Sequence, residues 1–446
     1  MNRILARSLL KLTRPERVRL LKEIVADQWR SPAQLADLST YRLTGIMRHA
    51  AATVPYYSEF CRQAGLDPAS LDAGDLVRFP LVHKQDMIEN SAAFQTSAAD
   101  RRDCVPNSTG GSSGKMFNFL IDRKSLEIRT ANDLRGRTWT GWRLGDKQAI
   151  LWGHPRDNKV THSLRGKLLG KFVHRSRNLN AFDMDDRIVA DFAGQLRHFN
   201  PVMILGYSSA LAFFSEYLAS KNIKIPSPKG IISSAETLTP EHRSSIESYF
   251  ACPLLNRYGS REFGDIAQQC EAVDGLHIFS DRYHLEVLRP DGTACVPGEQ
   301  GEVVITDFDN QVMPFIRYRT GDLATPANGS CSCGRGFPLL ASVAGRTSEL
   351  VVGKNGKYYS CPGPRWWRTG IEGVGQMQLV QEDRETIEIR LVPDGRWNES
   401  SHRQLEARMK ELLGEIDVVI NLVDALHPLP SGKFPFVISS VSPFTD

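Results

Sequence analysis

The sequence predicts an α/β protein with α+β parts, built from a large domain over residues 1–345 and a small domain over residues 346–446. Three observations support this fold class. Apolar residues recur at helical spacing over residues 1–100, and short β-branched runs alternate with helical stretches from about 116 to 310. The small domain has the pattern of a β-β-α-β unit. Length alone already favours more than one domain.

Composition and charge exclude several other classes of protein. The 446 residues include 55 Lys and Arg against 51 Asp and Glu, and this near balance argues against a dedicated nucleic-acid binder. The hydrophobic fraction of 41% is that of an ordinary globular protein, and no apolar run is long enough for a transmembrane helix. The eight cysteines are mostly scattered, which favours a reduced protein. We expect a cytoplasmic monomer or dimer.

The amino-terminal stretch is predicted to be mainly helical. Residues 1–15 carry several basic residues and no acid, and the basic residues interrupt the apolar ones, so a secretory signal is excluded. A transit peptide and a surface amphipathic helix remain as alternatives, of which we favour the helix. Thr13 and Glu16 have the spacing of a capping box around Pro15. A second helix is expected from Leu43 to Ala52.

Two kinds of strand are predicted in the middle of the chain. Buried parallel strands are indicated by short apolar runs at 149–152, 202–205 and 230–232. Residues 276–307 instead indicate antiparallel strands, because turn signals such as Asp291-Gly292 interrupt the apolar alternation.

The small domain is predicted from two alternating apolar runs, a helix and a further strand. The runs lie around Met377 and Ile387, and the helix carries Leu405 and Met409 on one face and stops at Gly414. The strand Val418–Ile420 follows.

A glycine-rich segment is the first candidate for chemistry. Residues 108–115 read Ser-Thr-Gly-Gly-Ser-Ser-Gly-Lys. Glycines let the backbone approach a ligand closely, and freed N–H groups with several hydroxyls suit phosphate oxygens. The spacing is not that of the ATPase P-loop. A flexible Ser/Gly surface loop is the alternative.

Further short motifs follow in order along the chain, each weak alone. They are Arg257-Tyr258-Gly259-Ser260-Arg261-Glu262, Phe315-Ile316-Arg317-Tyr318-Arg319-Thr320-Gly321-Asp322-Leu323, Gly345-Arg346 and Ser431-Gly432-Lys433. Taken together, the motifs resemble the adenylate-forming superfamily of acyl-CoA ligases, synthetase adenylation domains and luciferases. The phenylacetate–coenzyme A ligase branch is most similar, especially its capsular-polysaccharide-biosynthesis-type members, which share the Ser-Thr-Gly-Gly-Ser start.

The resemblance covers almost the whole chain, including the Val54–Tyr57 and Phe79–Lys84 segments. It implies a large adenylate-forming domain with mixed and parallel sheets, a β-rich part at about 268–340, and a small mobile domain carrying Lys433. The hinge between the domains would lie near Ser348.

The resemblance also implies how ATP would be held. Tyr258 would stack on adenine, Asp322 would accept hydrogen bonds from both ribose hydroxyls, and Glu262 would hold Mg²⁺. Arg346 would lie near the ribose and phosphate, and Lys433 would neutralise charge at the α-phosphate during attack by the carboxylate. The implied phosphate loop is Thr109, Gly110, Gly111, Ser112, Ser113, Gly114 and Lys115, the implied base-lining residues are Ser234, Ala235 and Glu236, and Gly259 and Ser260 are further implied cofactor-binding residues. An Asp322 that merely caps a turn is the alternative for that residue.

Some positions depart from the pattern of these relatives. Met116 stands where the ligases usually have Pro, and Arg346-Thr347-Ser348-Glu349 stands where relatives usually carry an Asp pair. The second departure concerns the position of the hinge, not its existence. The Arg that often follows the lysine is also missing after Lys433.

A possible metal site is formed by Cys270, His277, Cys331 and Cys333. Three thiolates and one imidazole would complete a closed, structural zinc site, and four ordinary reduced residues are the alternative. The resembled branch commonly carries this arrangement, which favours zinc. His284 is a rival ligand, but its place inside a predicted strand argues against it.

The predicted function is an ATP-dependent ligase. A carboxylic acid would be activated as acyl-AMP with release of pyrophosphate, and the acyl group would pass to a thiol, with coenzyme A as the first candidate. Transfer to a carrier protein or to an amine or hydroxyl is the alternative. A catalytically idle nucleotide-binding relative is a second alternative, against which the presence of Glu262, Asp322, Arg346 and Lys433 argues. The sequence identifies neither the acid nor the acceptor.

Overall fold

The computed structural model describes residues 2–97, 103–110, 116–153, 170, 173, 175–181, 184–272, 275–346, 350–354, 358–360, 371–426 and 436–441. Its helices are α1 (Asn2–Thr13), α2 (Pro15–Asp27), α3 (Pro32–Thr53), α4 (Pro55–Gln63), α5 (Lys84–Glu89), α6 (Arg123–Thr138), α7 (Asp186–Phe199), α8 (Ser208–Ser220), α9 (Pro240–Phe250) and α10 (Glu399–Leu413). A 3-10 helix covers Ala73–Arg78.

The strands of the first three quarters of the chain are β1 (Cys104–Gly110), β2 (Met116–Asp122), β3 (Gln148–Leu151), β4 (Ser176–Leu179), β5 (Met203–Tyr207), β6 (Gly230–Ser234), β7 (Leu254–Ser260), β8 (Gly264–Gln269), β9 (Leu276–Ile278), β10 (Tyr283–Leu288), β11 (Gly301–Asp307) and β12 (Tyr318–Pro326). The remaining strands are β13 (Leu339–Arg346), β14 (Leu350–Val352), β15 (Tyr358–Ser360), β16 (Val374–Gln381), β17 (Thr386–Pro393), β18 (Asp417–Leu422) and β19 (Val437–Ser439).

One mixed sheet organises the large domain. Its 11 described strands run in the order β10-β11-β12-β13-β9-β8-β7-β6-β5-β3-β4. The pairs among β4, β3, β5, β6 and β7 are parallel, and all pairs from β7 to β10 are antiparallel. The predicted division into parallel α/β strands and antiparallel strands from about residue 276 is therefore confirmed. The antiparallel part begins slightly earlier, at β8.

The parallel strands are buried on both faces, as their sequence predicts. Every residue of β5 and β6 is buried, and helices α7, α8 and α9 cover the same core through residues such as Leu196, Phe214 and Phe250. Continuous apolar strands of this kind are stable only between two layers of helix or loop. Their carboxyl ends consequently meet at one edge of the sheet, where ligand sites of α/β proteins gather.

The amino-terminal part is helical, as predicted, but one local prediction was wrong. Thr13 does not cap a helix: it is the last residue of α1, and its hydroxyl donates to the carbonyl of Leu9 at 2.7 Å. The residue before α2 is Arg14, whose side chain makes no capping bond. A capping box does occur at Ser31 and Gln34, where each side chain bonds the other residue's backbone N–H at the start of α3.

The carboxy-terminal strands form a separate four-stranded sheet in the order β18-β17-β16-β19. The expected β-β-α-β succession is present, with α10 packing Leu405 and Met409 into the core of this sheet. Strand β19, which the sequence did not predict, adds to β16 in parallel. The boundary at residue 345 stays a prediction. Among the described residues, none of the helices combines the length and apolar content that crossing a bilayer requires.

Candidate functional site

The carboxyl end of β6 carries the first group of predicted site residues. Ser234 is the last residue of β6, and Ala235 follows in a left-handed conformation with φ of +68°. A non-glycine residue rarely adopts this conformation without a local demand for it. The turn directs Glu236 towards α8, where its carboxylate accepts a hydrogen bond from the Ser209 N–H at 2.9 Å. A carboxylate at a helix amino terminus is favourable because it meets unpaired N–H groups there.

The buried Arg257 of β7 forms a hydrogen bond with the side chain of Ser234. The Arg257 guanidinium donates to Ser234 Oγ at 3.2 Å, to Asp133 at 2.9 Å and to Asp265 at 3.1 Å. Burial raises the pKa of Asp265 to about 6, whereas the guanidiniums of Arg137 and Arg257 outweigh burial and lower the pKa of Asp133. This network fixes β6 and β7 relative to each other beneath the predicted nucleotide site.

The turn from β7 to β8 places Gly259, Ser260 and Glu262. A Cβ on Gly259 would lie 2.4 Å from the carbonyl oxygen of Gly264, so the tight turn admits only glycine there. Ser260 Oγ is buried, and no described residue forms a hydrogen bond with it. Glu262 is 6% exposed and makes no hydrogen bond or ion pair with any residue of the described part of the chain. A buried hydroxyl without a partner is rare, and here it shares a turn with a carboxylate that no described residue engages, which fits a site that receives a ligand or a cation.

Asp322 lies opposite this turn and contacts it directly. The Tyr258 hydroxyl donates a hydrogen bond of 2.6 Å to Asp322 Oδ2. Gly321 has φ of +73°, and the Asp322 N–H donates to Thr320 Oγ1 at 3.1 Å, so the threonine hydroxyl helps to stabilise the turn. The structure therefore brings together the two residues that the sequence assigns to adenine and to ribose.

Thr109 and Gly110 are the last described residues of the first half of the predicted phosphate loop. Strands β1 and β2 pair as a hairpin, and Thr109 and Gly110 lie on β1 just before its tip. The predicted residues Gly111, Ser112, Ser113, Gly114 and Lys115 lie outside the described residues. The nearly buried Thr109 Oγ1 accepts a hydrogen bond of 2.7 Å from the Lys84 ammonium, which also lies 5.7 Å from the Phe117 ring centroid.

Lys84 is a candidate that the sequence analysis did not assign. Its segment is fixed because Val82 pairs with β12: the Val82 N–H donates to the Arg317 carbonyl at 3.0 Å, and Val82 accepts from the Arg319 N–H at 2.9 Å. Lys84 then begins α5. The strand that carries Asp322 therefore also anchors a cation beside the glycine loop. No local spacing signals this contact, although the Phe79–Lys84 segment is part of the sequence resemblance.

The remaining predicted catalytic residues are placed only in part. The backbone of Arg346 pairs with Asp322 across β12 and β13, which puts the two residues on adjacent strands. Lys433 and Ser348 lie outside the described residues.

The predicted metal ligands come together in space. The ligand atoms of Cys270, His277, Cys331 and Cys333 all lie within 4.8 Å of one another. Cys270 Sγ is 3.5 Å from Cys331 Sγ and 3.3 Å from His277 Nε2, and Cys333 Sγ is 3.6 Å from the same nitrogen. Sulfur atoms bound to one tetrahedral zinc are separated by about 3.8 Å, so the four atoms fit that geometry. His284 does not belong to the group.

The local backbone and burial also suit a metal. The N–H groups of Ala272, Cys333 and Arg335 point at the three sulfurs, at 3.4–3.5 Å, and such donors stabilise thiolates. Burial lowers the pKa of His277 to about 4, so its imidazole is neutral at pH 7, as a ligand must be. Burial raises the pKa of the Cys270 thiol to about 12 in the metal-free chain.

The loop after Cys333 joins this cluster to the amino-terminal helices. The Arg335 guanidinium lies between two indole rings, 5.1 Å from Trp29 and 4.3 Å from Trp139. The Gly336 N–H donates to the Gln28 carbonyl, and a Cβ on Gly336 would lie 2.1 Å from the Arg30 carbonyl oxygen. The contact between the two parts of the chain therefore requires glycine at this position.

The chain is similar to curated proteins of two kinds. Residues 367–440 match the family model of the CapK C-terminal domain. The phenylacetate-coenzyme A ligase of Aromatoleum evansii is 24% identical over 92% of this chain and 93% of its own length, and that of Escherichia coli K12 is 26% identical over 72% of each. Protein CapK of Staphylococcus aureus is 22% identical over 91% of this chain and 90% of its own length. The resemblance inferred from the motifs is confirmed.

Solved structures share the fold. A 2-hydroxyisobutyryl-CoA ligase in complex with 2-HIB-AMP superposes with a TM-score of 0.66 at 19% identity, covering 90% of this chain and 89% of that one. The o-succinylbenzoate coenzyme A synthetase of Bacillus subtilis, in complex with AMP, gives 0.52 at 16% identity over 74% and 67%. The predicted fold class is therefore confirmed.

Proposed function

We propose that this protein is an AMP-forming acid–thiol ligase, which activates a carboxylic acid as acyl-AMP and transfers the acyl group to coenzyme A. The observation that carries the proposal is the hydrogen bond between Tyr258 and Asp322, placed beside the unpartnered Ser260 hydroxyl and Glu262 carboxylate. The relatives named as phenylacetate-coenzyme A ligases span nearly the whole chain and support the same reaction class.

In this proposal, Asp322 binds the ribose and the Tyr258 ring covers the adenine. Asp322 can accept from two vicinal hydroxyls and still accept from the Tyr258 hydroxyl, because a carboxylate offers about four lone-pair sites. Ser234 to Glu236 line the base, held in place by Arg257. Glu262 holds Mg²⁺, which when bound neutralises phosphate charge.

The phosphates would lie against the glycine loop, with Lys84 beside Thr109. Lys433 and Arg346 act on the α-phosphate, where negative charge grows as the substrate carboxylate attacks and pyrophosphate leaves. Fixed cations aimed at developing charge are the main source of rate in such phosphoryl chemistry. After rotation of the small domain, a thiol attacks the acyl carbon and AMP leaves. A carrier-protein thiol, an amine or a hydroxyl is the alternative acceptor.

For the cysteine–histidine cluster, we propose one structural zinc ion bound by Cys270, His277, Cys331 and Cys333. Four protein ligands leave no open position for substrate, so the ion would stabilise the β-rich part of the large domain rather than take part in the reaction. The buried histidine and the N–H groups that face the sulfurs support this assignment.

A panel of aryl and fatty acids in an ATP–pyrophosphate exchange assay tests the proposal. Acid-dependent exchange of pyrophosphate into ATP is expected with at least one acid, and thioester formation should then require coenzyme A. Glu262→Gln is the matched control, since it keeps the shape of the side chain and removes the charge that would hold Mg²⁺. Nucleotide binding without any acid-dependent exchange would favour the idle nucleotide-binding alternative.

A further inference from the structure

Helix α1 is attached to the large domain along one side. Ala6 and Leu10 are fully or almost fully buried and pack with Val173. At the start of the helix, Arg3 makes a two-pronged ion pair with Asp146, with distances of 2.7 and 2.9 Å. The helix is therefore held in a fixed orientation, with a defined outer face.

That outer face is apolar and basic at once. Ile4 and Leu12 are 73% and 82% exposed, and Leu5 beside them is 40% exposed. Residues four apart lie on one row of a helix, so Ile4 and Leu12 form an apolar row with Ser8 between them. Arg7 and Lys11 form the neighbouring row, both exposed.

Among the described residues, no acid forms an ion pair with the two cations of this face. Within the described part of the chain, Arg7 and Lys11 make no ion pair. The acids near α1 are already engaged: Asp146 binds Arg3, and Glu127 binds both Arg14 and Arg17. The surface is thus positive beside an exposed aliphatic row.

Adjoining residues extend the positive charge. Arg143 and Lys147 flank Asp146 in the sequence, and Arg175 donates to the carbonyl of Gly145 at 2.9 Å. Arg175 therefore lies beside the segment whose Asp146 binds Arg3, and it adds a cation near the start of α1.

We propose that the outer face of α1 docks the protein on an anionic lipid bilayer. A helix that lies in the plane of the bilayer can bury an aliphatic row among the acyl chains. The cations that flank this row then bind lipid phosphates. A second copy of the chain fits less well, because two such faces would bring like charges together. Because α1 has only 12 residues, the association is peripheral.

Co-sedimentation of the full chain with lipid vesicles tests the proposal. The probes are vesicles of phosphatidylcholine alone and vesicles that also contain phosphatidylglycerol. The parent protein should bind the anionic vesicles and release them at high salt. Ile4→Ser with Leu12→Ser, and separately Arg7→Gln with Lys11→Gln, should each lower the partition coefficient roughly ten-fold or more.

The matched control replaces exposed aliphatic residues elsewhere, Val77→Ser with Val296→Ser, whose side chains are 71% and 58% exposed. This control should bind as the parent does, and all variants should keep the parent's melting temperature and acyl-adenylate formation without vesicles. Absence of binding by the parent, equal binding to both vesicle types, or equal loss in the control would overturn the proposal. So would a parent dimer in gel filtration that the Ile4 and Leu12 changes dissociate, since the face would then be a contact between copies.

Discussion

Replacing Asp322 by Asn separates a ribose-binding carboxylate from a residue that only shapes a turn. The change keeps the size of the side chain and one acceptor oxygen, and it removes the charge. Hydrogen bonds to a charged group contribute about 1.5–3 kcal/mol and neutral ones about 0.5–1.5. Two ribose hydroxyls would therefore lose about 1 kcal/mol each. The affinity for ATP should fall roughly 30-fold, which corresponds to about 2 kcal/mol.

The same substitution should affect 2′-deoxy-ATP less. With only one ribose hydroxyl to bind, its loss is about 1 kcal/mol, or roughly five-fold. The ratio of the ATP and deoxy-ATP affinities should therefore shrink roughly five-fold in the variant. Isothermal titration calorimetry with a non-hydrolysable ATP analogue and its 2′-deoxy form measures this ratio directly.

Two further variants define the control. Thr320→Val removes the hydroxyl that accepts from the Asp322 N–H at 3.1 Å and donates to the Val303 carbonyl at 3.0 Å, so it weakens the turn without touching the carboxylate. It should lower the melting temperature and leave the nucleotide ratio unchanged. Tyr258→Phe keeps the ring and removes the 2.6 Å bond to Asp322, and it should weaken both nucleotides equally. If Asp322→Asn behaves like Thr320→Val, the ribose assignment is wrong.

The remaining predictions concern the cations, the metal and the buried network. Lys433→Ala should abolish acyl-adenylate formation while thioester formation from a supplied acyl adenylate survives; equal loss of both half-reactions in stopped-time assays would contradict its role. Lys84→Ala should raise the KM for ATP roughly ten-fold, with Lys84→Arg largely restoring it and thioester formation unaffected, whereas a lower melting temperature without a KM effect would mean that the lysine only supports Thr109. Elemental analysis should find about one zinc per chain, and Cys333→Ser should lower both the zinc content and the melting temperature. A parent protein whose melting temperature is the same with and without zinc would disprove the metal site. Arg257→Met should lower the free energy of unfolding by about 3 kcal/mol or more because it leaves Asp265 buried without its ion-pair partner and Asp133 with Arg137 alone, and a smaller loss in denaturant titration would argue against the network.

Much of the fold was predictable because its signals are local. The apolar runs that became β5 and β6 are buried on both faces, so their composition alone distinguishes them from surface strands. The wrong capping box at Thr13 is equally informative. Thr13 and Glu16 have the spacing of a capping box, but the preceding residues are themselves helical, so Thr13 ends α1 and does not cap α2.

The site was predictable where a motif is short and its chemistry specific. The metal ligands and the Tyr258–Asp322 pair follow from residue types, although their proximity required the fold. Lys84 could not be found in this way, because its position depends on Val82 pairing with β12, a contact between residues far apart in sequence. The contacts of Arg257 likewise come from three separate elements.

The contact between the Cys333 loop and the end of α2 affects the order in which the chain acquires its structure during synthesis. Gln28 and Trp29 leave the ribosome long before Arg335 and Gly336 exist, so these two later contacts are absent while most of the large domain is being made. Long-range closure of this kind is slow. Until the loop after Cys333 has been synthesised, the surface of the amino-terminal helices that it covers remains exposed. The zinc ion proposed above would bind Cys331 and Cys333 and so order the loop that follows them. The zinc supply during growth would then determine which fraction of newly made protein forms this contact and which fraction is degraded.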